Sequence, residues 1–286
     1  MPGGITFEHV WAFQIKCMMS NQYDNLVRAL EKNDKNLVIA ACLRLGWNDA
    51  FRHTSKNNDD KTIISNYLKQ EWTEFIKPGQ TRMNDSMRAD VFLEVCKNLV
   101  EYFKEYAKCT TTVDRYNYMD SISKDPKFIG IIGVVKDTAA KDKELCIGHV
   151  QKMFNIAMKL ILCLIESADH ARKTSLQVCL QKKHPGTCIY LTDHGLLTYG
   201  NFPFAFDTAD CPVDSIVLEA IDSIQKGVYT HPPIGSKTYK QIIWSKLGAK
   251  EPGENYLLTQ NEIRDIQKGS VPAKCNLCFD FENWNK

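Results

Sequence analysis

The chain has almost no net charge to spend on long-range attraction: 36 basic and 34 acidic side chains leave +2 over 286 residues. A molecule so balanced is not a strong polyanion binder as a whole, so any nucleic-acid footprint has to be local. The sequence also lacks a Gly-x-Ser-x-Gly elbow, a P-loop and a dinucleotide fingerprint, which removes support for acyl, phosphoryl and hydride transfer. It has no internal repeat, no low-complexity tract and no compositional linker, which argues against a solenoid or a bead-on-string arrangement. No apolar run stands out as a membrane span, and Glu8 and His9 interrupt the first ten residues, so neither a signal peptide nor a membrane partner is expected and the location read from the sequence is cytoplasmic. The histidines, among them His149, His170, His184, His194 and His231, show no metal-ligand spacing.

Cysteine is present but unpatterned. Eleven are scattered, several in helical apolar contexts such as Cys42, Cys96 and Cys163, as reduced core thiols would be. Cys275-Asn276-Leu277-Cys278 is the single close pair. With no second pair it is weak support for zinc or an iron–sulfur cluster, and no metal or cofactor is assigned.

What the sequence does have is helical periodicity, at 44% hydrophobic and 24% charged residues. The expected fold class is all-α, a single compact unit over 1–286 with possible lobes 1–135 and 136–286 about a central cleft. Helices are expected over Ser20–Glu31, Leu37–Phe51 capped by Asp34, Asp60–Phe75, Asn84–Lys108 with Met87, Val91, Val95, Leu99 and Phe103 at every fourth position, and Asp114–Ser123. Phe128–Val135 reads as a loop or a short helix. Leu145 to about Ile165 is apolar on most sides, with one narrow polar stripe of Gly148, Lys152, Asn155 and Lys159. A basic helix over Arg172–Lys183, a small hairpin pairing Cys188–Thr192 with Leu196–Tyr199, and helices over Asp214–Gln225, Lys237–Leu247 and Gln260–Gln267 complete the pattern.

Between Ser223 and Lys250 five lysines occur without an acid, interleaved with Tyr229, Tyr239 and Trp244. Lys226, Lys237, Lys240 and Lys246 are the candidate phosphate contacts, with aromatic faces available for stacking.

Two short segments carry chemistry. Gly148-His149-Val150-Gln151-Lys152-Met153-Phe154-Asn155 opens one apolar helix, and Cys211-Pro212-Val213-Asp214-Ser215 opens a later one. Together they resemble the helix-hairpin-helix DNA glycosylases, in the endonuclease III and 8-oxoguanine glycosylase branches. The resemblance implies a helix-hairpin-helix glycosylase-like fold. It implies that Lys152 is the amine nucleophile and Asp214 the carboxylate beside it. The partner would be DNA, double-stranded or locally opened, from which a damaged or modified base is flipped and excised, with or without lyase activity, in repair or in defence against modified foreign DNA.

The residue types suit that chemistry. A neutral lysine amine can attack a sugar C1′ and form a Schiff base, while an aspartate can stabilise an oxocarbenium-like sugar. Gly148, Gln151 and Asn155 would bind or orient the substrate, and Trp47, Phe202, Phe204 and Phe206 are candidate walls for an extruded base, or plain core. The match departs from the family pattern at three points. Lys152 and Asp214 lie 62 positions apart, a longer interval than the family's; His149-Val150-Gln151 stands where a second glycine belongs; and the cluster-binding cysteines of the endonuclease III branch are absent, which favours an 8-oxoguanine-type branch. The competing expectation is a non-catalytic helical module that binds nucleic acid or protein.

Overall fold

A computed structural model describes residues 23–51, 93, 95–132, 145–174, 195–268 and 274–283. It is mostly helical, and among the described residues there is no strand; the one β-bridge is isolated, between Leu247 and Glu251. The helices are α1 (Tyr23–Glu31), α2 (Lys35–Phe51), α3 (Val100–Lys108), α4 (Thr112–Ser123), α5 (Pro126–Ile132), α6 (Ile147–Thr174), α7 (Ser215–Gln225), α8 (Asn255–Gln267) and α9 (Asn276–Asn283).

α6 is the axis of the fold. Its apolar residues from Val150 to Ala168 are almost all buried, in one hydrophobic cluster that reaches from Leu26 on α1 to Phe281 on α9. The broadest helix-to-helix packing is α2 against α6, which joins residues on both sides of position 135. Gly46 makes this crossing close: a Cβ there would lie 2.3 Å from the Met153 carbonyl oxygen. The stretch Ile147–His170 is, against expectation, long and apolar enough to cross a membrane, but 94% of its most apolar window is buried inside the fold.

Several elements follow from local chemistry read in advance. The Asp34 carboxylate accepts from the Asn36 and Leu37 amides at 2.8 and 3.2 Å, so it caps α2 as expected. Val95, Leu99 and Phe103 are fully buried, but the helix they were assigned to is interrupted: three-residue turns at Asn98 and Leu99 precede α3. Thr111 caps α4, accepting from the Asp114 amide at 3.1 Å, which starts that helix earlier than Asp114. The segment around Phe128 is helical, with Asp125 accepting from the Lys127 amide.

Two expectations are corrected. Lys237–Leu247 is not an α-helix but two 3₁₀ turns, Tyr239–Gln241 and Trp244–Lys246. The Asp222 carboxylate takes the Tyr239 and Lys240 amides at 2.9 and 2.8 Å, and Ile242 returns the chain to extended backbone. Leu196–Tyr199 forms turns rather than a hairpin strand, with Asn201 donating to the Leu196 carbonyl. The expected Asp60–Phe75 helix, most of Arg172–Lys183 and the Cys188–Thr192 half of the hairpin lie outside the described residues.

Candidate functional site

The polar stripe of α6 does not face solvent. Each of its side chains is buried and meets a partner from a distant part of the chain, as buried polar groups must. Lys159 pairs with Asp280 of α9 at 2.5 Å and sits 4.3 Å from the Phe281 ring centroid. Asn155 donates to the Cys211 carbonyl at 3.3 Å and to the Tyr256 hydroxyl at 3.2 Å, and accepts from the Tyr106 hydroxyl.

Lys152 is the member of the stripe nearest to solvent-exposed charge. Its Nζ lies 2.9 Å from Asp49 Oδ2 on α2 and 3.3 Å from Asp214 Oδ2 at the start of α7. The same ammonium stands over the Trp244 ring, 4.6 Å from its centroid, a cation–π contact. The lysine side chain is 6% exposed, Asp214 15% and Asp49 39%, so the group opens outward through the carboxylates.

Asp214 divides its two oxygens. Oδ1 accepts from the Ile216 and Val217 amides at 3.0 and 3.1 Å and caps α7, while Oδ2 faces the lysine. The strand-like segment leading to it is held at successive residues. Asp210 is locked by Arg115, Thr112 and Tyr256. The Cys211 amide donates to Gln260 Oε1 and its carbonyl accepts from Gln260 Nε2, at 3.0 and 2.7 Å. Val213 donates to Gln151 Oε1 at 2.9 Å and accepts from Gln151 Nε2 at 2.7 Å. Gln151 therefore ties the lysine's own helix turn to the residue beside Asp214, which is how two remote segments converge.

Gly148 also serves the site by its lack of a side chain. A Cβ there would lie 1.8 Å from the Trp244 carbonyl oxygen, so only glycine lets the Trp244–Lys246 turn close on the mouth of α6. Gly148→Ala is expected to force that turn away, at a cost of about 1–3 kcal/mol, seen as a lowered urea midpoint and a changed indole emission.

His149 is 5% exposed, with its ring 5.7 Å from that of Trp244. Burial, assisted by the Lys152 charge, lowers its pKa from 6.5 to about 4. The unfolded chain binds this proton more readily than the folded one, so stability is lost as pH falls from about 6.5 to about 4, by up to roughly 3 kcal/mol. Urea midpoints at pH 7 and pH 4.5 will record this loss, and His149→Gln will reduce the difference.

The remaining sequence-derived candidates divide clearly. Trp47, Phe202 and Phe206 are buried core residues, and Phe204 is half-buried. Phe204 packs edge-on or tilted against Phe202, Phe206 and Phe103 of α3, with centroids 5.5–6.0 Å apart, which matches the plain-core alternative. Gln151 and Asn155 spend their amides on backbone and tyrosine partners, which makes them positioning residues. Gly148 is covered by the Trp244 turn and its amide faces the Leu247 carbonyl, so it is not open to a phosphate. Lys226, Lys237 and Lys240 are exposed and Lys246 is half-buried. Of the aromatics among them, Tyr239 is buried, while Tyr229 and Trp244 are partly exposed.

Asp49 escaped the sequence reading, because a lone carboxylate near the end of an apolar helix carries no motif. Its partial signal is that it follows Gly46 by one helical turn on the helix face that meets α6. No family model, characterised protein or solved structure matches the chain.

Proposed function

We propose that the protein is a DNA glycosylase that uses Lys152 as an amine nucleophile and Asp214 as the carboxylate opposing it. Supporting this reading is one observation above all: a lysine and an aspartate from remote parts of the chain stand 3.3 Å apart, with side chains 6% and 15% exposed. In this reading α6 and α7 supply the two reacting side chains of a helix-hairpin-helix-type enzyme.

The chemistry distributes as follows. Lysine attacks only as the neutral amine, so Nζ must first release a proton. Asp49 Oδ2, at 2.9 Å and the most exposed of the three groups, is the acceptor that can pass it to water. The amine then bonds to C1′ of a flipped nucleoside as the base leaves with a proton. Asp214 stabilises positive charge on the sugar before the ring opens to the Schiff base. Lys226, Lys237, Lys240 and Lys246 hold the backbone, and the part-exposed face of Trp244 is the aromatic surface adjacent to the amine.

A second reading has its own support. A lysine clamped by two carboxylates and an indole is also what a purely structural ion cluster looks like, in a helical module that binds nucleic acid through its exposed lysines. Incubating the protein with abasic and modified-base duplexes in borohydride separates the two. A covalent adduct, or base release without one, supports the glycosylase. Salt-sensitive binding with neither adduct nor release on any substrate leaves only the module.

A further inference from the structure

The strap 226–246, which runs from the end of α7 to the indole over Lys152, carries charges that no carboxylate answers. Among the described residues Lys226, Lys237, Lys240 and Lys246 make no ion pair, whereas Lys104 and Lys124 elsewhere on the surface each hold a carboxylate at 2.6 Å. The sequence supplies no acid between Ser223 and Lys250. The acids that do approach the strap from α7 and α8 are committed to its backbone. Asp222 takes the Tyr239 and Lys240 amides, and Glu262 takes the His231 amide at 2.6 Å. Asn255 completes the fastening, accepting from the Ile234 amide and donating to its carbonyl at 2.8 and 3.1 Å.

This fastening sorts the side chains into two faces. Residues three apart eclipse one another in a 3₁₀ turn, and the strap contains two such turns, Tyr239–Gln241 and Trp244–Lys246. Tyr239 and Ile242 point inward and are buried. Lys237, Lys240, Ile243 and Lys246, spaced by three, form the outer row; the first three are exposed and Lys246 is half-buried. Beside this row Trp244 is partly exposed while its ring carries the Lys152 ammonium. Lys226, whose amide donates to the Asp222 carbonyl at 2.9 Å, and Gly227 are both left-handed, and this turn leaves Val228 79% exposed.

Unpaired cations alone suit any polyanion, but exposed aliphatic side chains among them narrow the choice. A duplex shows phosphates on its outside and keeps its base faces stacked away from an outer-row isoleucine. An unpaired strand presents phosphates and apolar base faces together. We propose that the strap binds single-stranded DNA, already unpaired or freed by local opening, with phosphates on Lys226, Lys237, Lys240 and Lys246 and bases against Ile243, Val228 and Trp244. The strand is thereby led to the lysine with its bases unstacked, so the nucleoside needs no rotation out of a helix. That the strand is DNA rests on the glycosylase reading; the preference for an unpaired strand rests on the surface itself.

The test is equilibrium binding of the full chain to labelled oligothymidylate, to a mixed-sequence strand and to that strand annealed to its complement, over a range of salt concentrations. Both single strands are expected to bind at least ~10-fold tighter than the duplex. Each phosphate contact contributes about −0.7 to the salt slope, so a Lys237→Gln, Lys240→Gln double variant should flatten it by about 1.4. Ile243→Ser should weaken strand binding ~3- to 10-fold with the slope and the duplex affinity unchanged, a response that an ordinary solvated residue would not give. These positions are exposed, so unchanged thermal midpoints will show that the variants fold. Duplex bound as tightly as the strands, or strand affinity untouched by Ile243→Ser, overturns the proposal. RNA of the same sequence bound more tightly overturns the choice of DNA, and capture by phosphatidylserine vesicles without strand binding assigns the surface to a membrane instead. Because no chemistry is read, strand binding without adduct or base release sinks the glycosylase alone, and an adduct with duplex-preferring binding sinks this inference alone.

Discussion

Lys152→Ala protein is expected to give no borohydride-trapped adduct with an abasic duplex, while Asp214→Asn protein still binds DNA but releases base roughly 10²- to 10⁴-fold more slowly. The second substitution is the sharper one. Asn is as good a helix cap as Asp, so the amides of Ile216 and Val217 keep their acceptor and α7 keeps its start. What disappears is the charge on the oxygen that faces Lys152 at 3.3 Å. Thermal midpoints and DNA affinity measured beside the rate separate the chemical role from the architectural one. An Asp214→Asn protein that loses stability and affinity as much as rate would mean that the carboxylate is there to hold the fold. Asp49→Asn should fall between: the rate drops and its pH dependence changes, since the proposed proton acceptor is gone, while trapping by Lys152 persists at longer times.

The largest effect on stability is expected far from the lysine, at Arg115 and Asp210. The Arg115 side chain is 2% exposed and Asp210 is fully buried. Two guanidinium nitrogens reach the two carboxylate oxygens at 2.9 and 3.3 Å, and the Thr112 and Tyr256 hydroxyls fill the remaining acceptor sites at 2.7 and 2.9 Å. Arg115 donates in addition to the carbonyls of Cys109 and Thr208. Removing one partner strands the other charge where water cannot reach it, at a cost of about 3–5 kcal/mol. Arg115→Ala and Asp210→Ala should each lower the unfolding free energy measured by denaturant titration by that amount, a large share of a typical domain's stability. The double substitution should cost less than the sum of the two. Because Asp210 begins the segment that ends at Asp214, either single variant should also lower whatever activity depends on Asp214.

How far the sequence announced this arrangement depended on whether a signal was local. The Asp34 cap was legible because a cap is decided within three residues, and it accepts the amide its position promised; the helix start at Asp214 was legible in the same way. The central helix was legible because an apolar surface on nearly every side has no stable place except inside. The polar stripe upon it was legible as a pattern, but its partners were not. Asp280, Tyr256 and Asp49 lie from about 100 residues before to 120 residues after the groups they meet, and no spacing rule links them.

The aromatic residues stayed open between pocket wall and core for a related reason. Phe202, Phe204 and Phe206 on alternate positions look alike whether they line a pocket or stack on Phe103, and only tertiary packing decides. Trp244 was misplaced because Lys237–Leu247 has helical composition, yet the carboxylate of Asp222, fifteen or more residues upstream, claims the amides that would begin that helix. Gln151, expected to bind or orient substrate, clasps Val213 through both ends of its amide, a task that an amide side chain suits equally well.

The split allegiance of Asp214 makes the α7 start a reporter. Covalent capture of the amine would displace the positive neighbour of one oxygen, because the nitrogen becomes tethered to a sugar, while the other oxygen still accepts from Ile216 and Val217. Any occupant of the site should therefore register as altered hydrogen–deuterium exchange at those two amides, giving an assay that needs neither a labelled substrate nor knowledge of which base is removed.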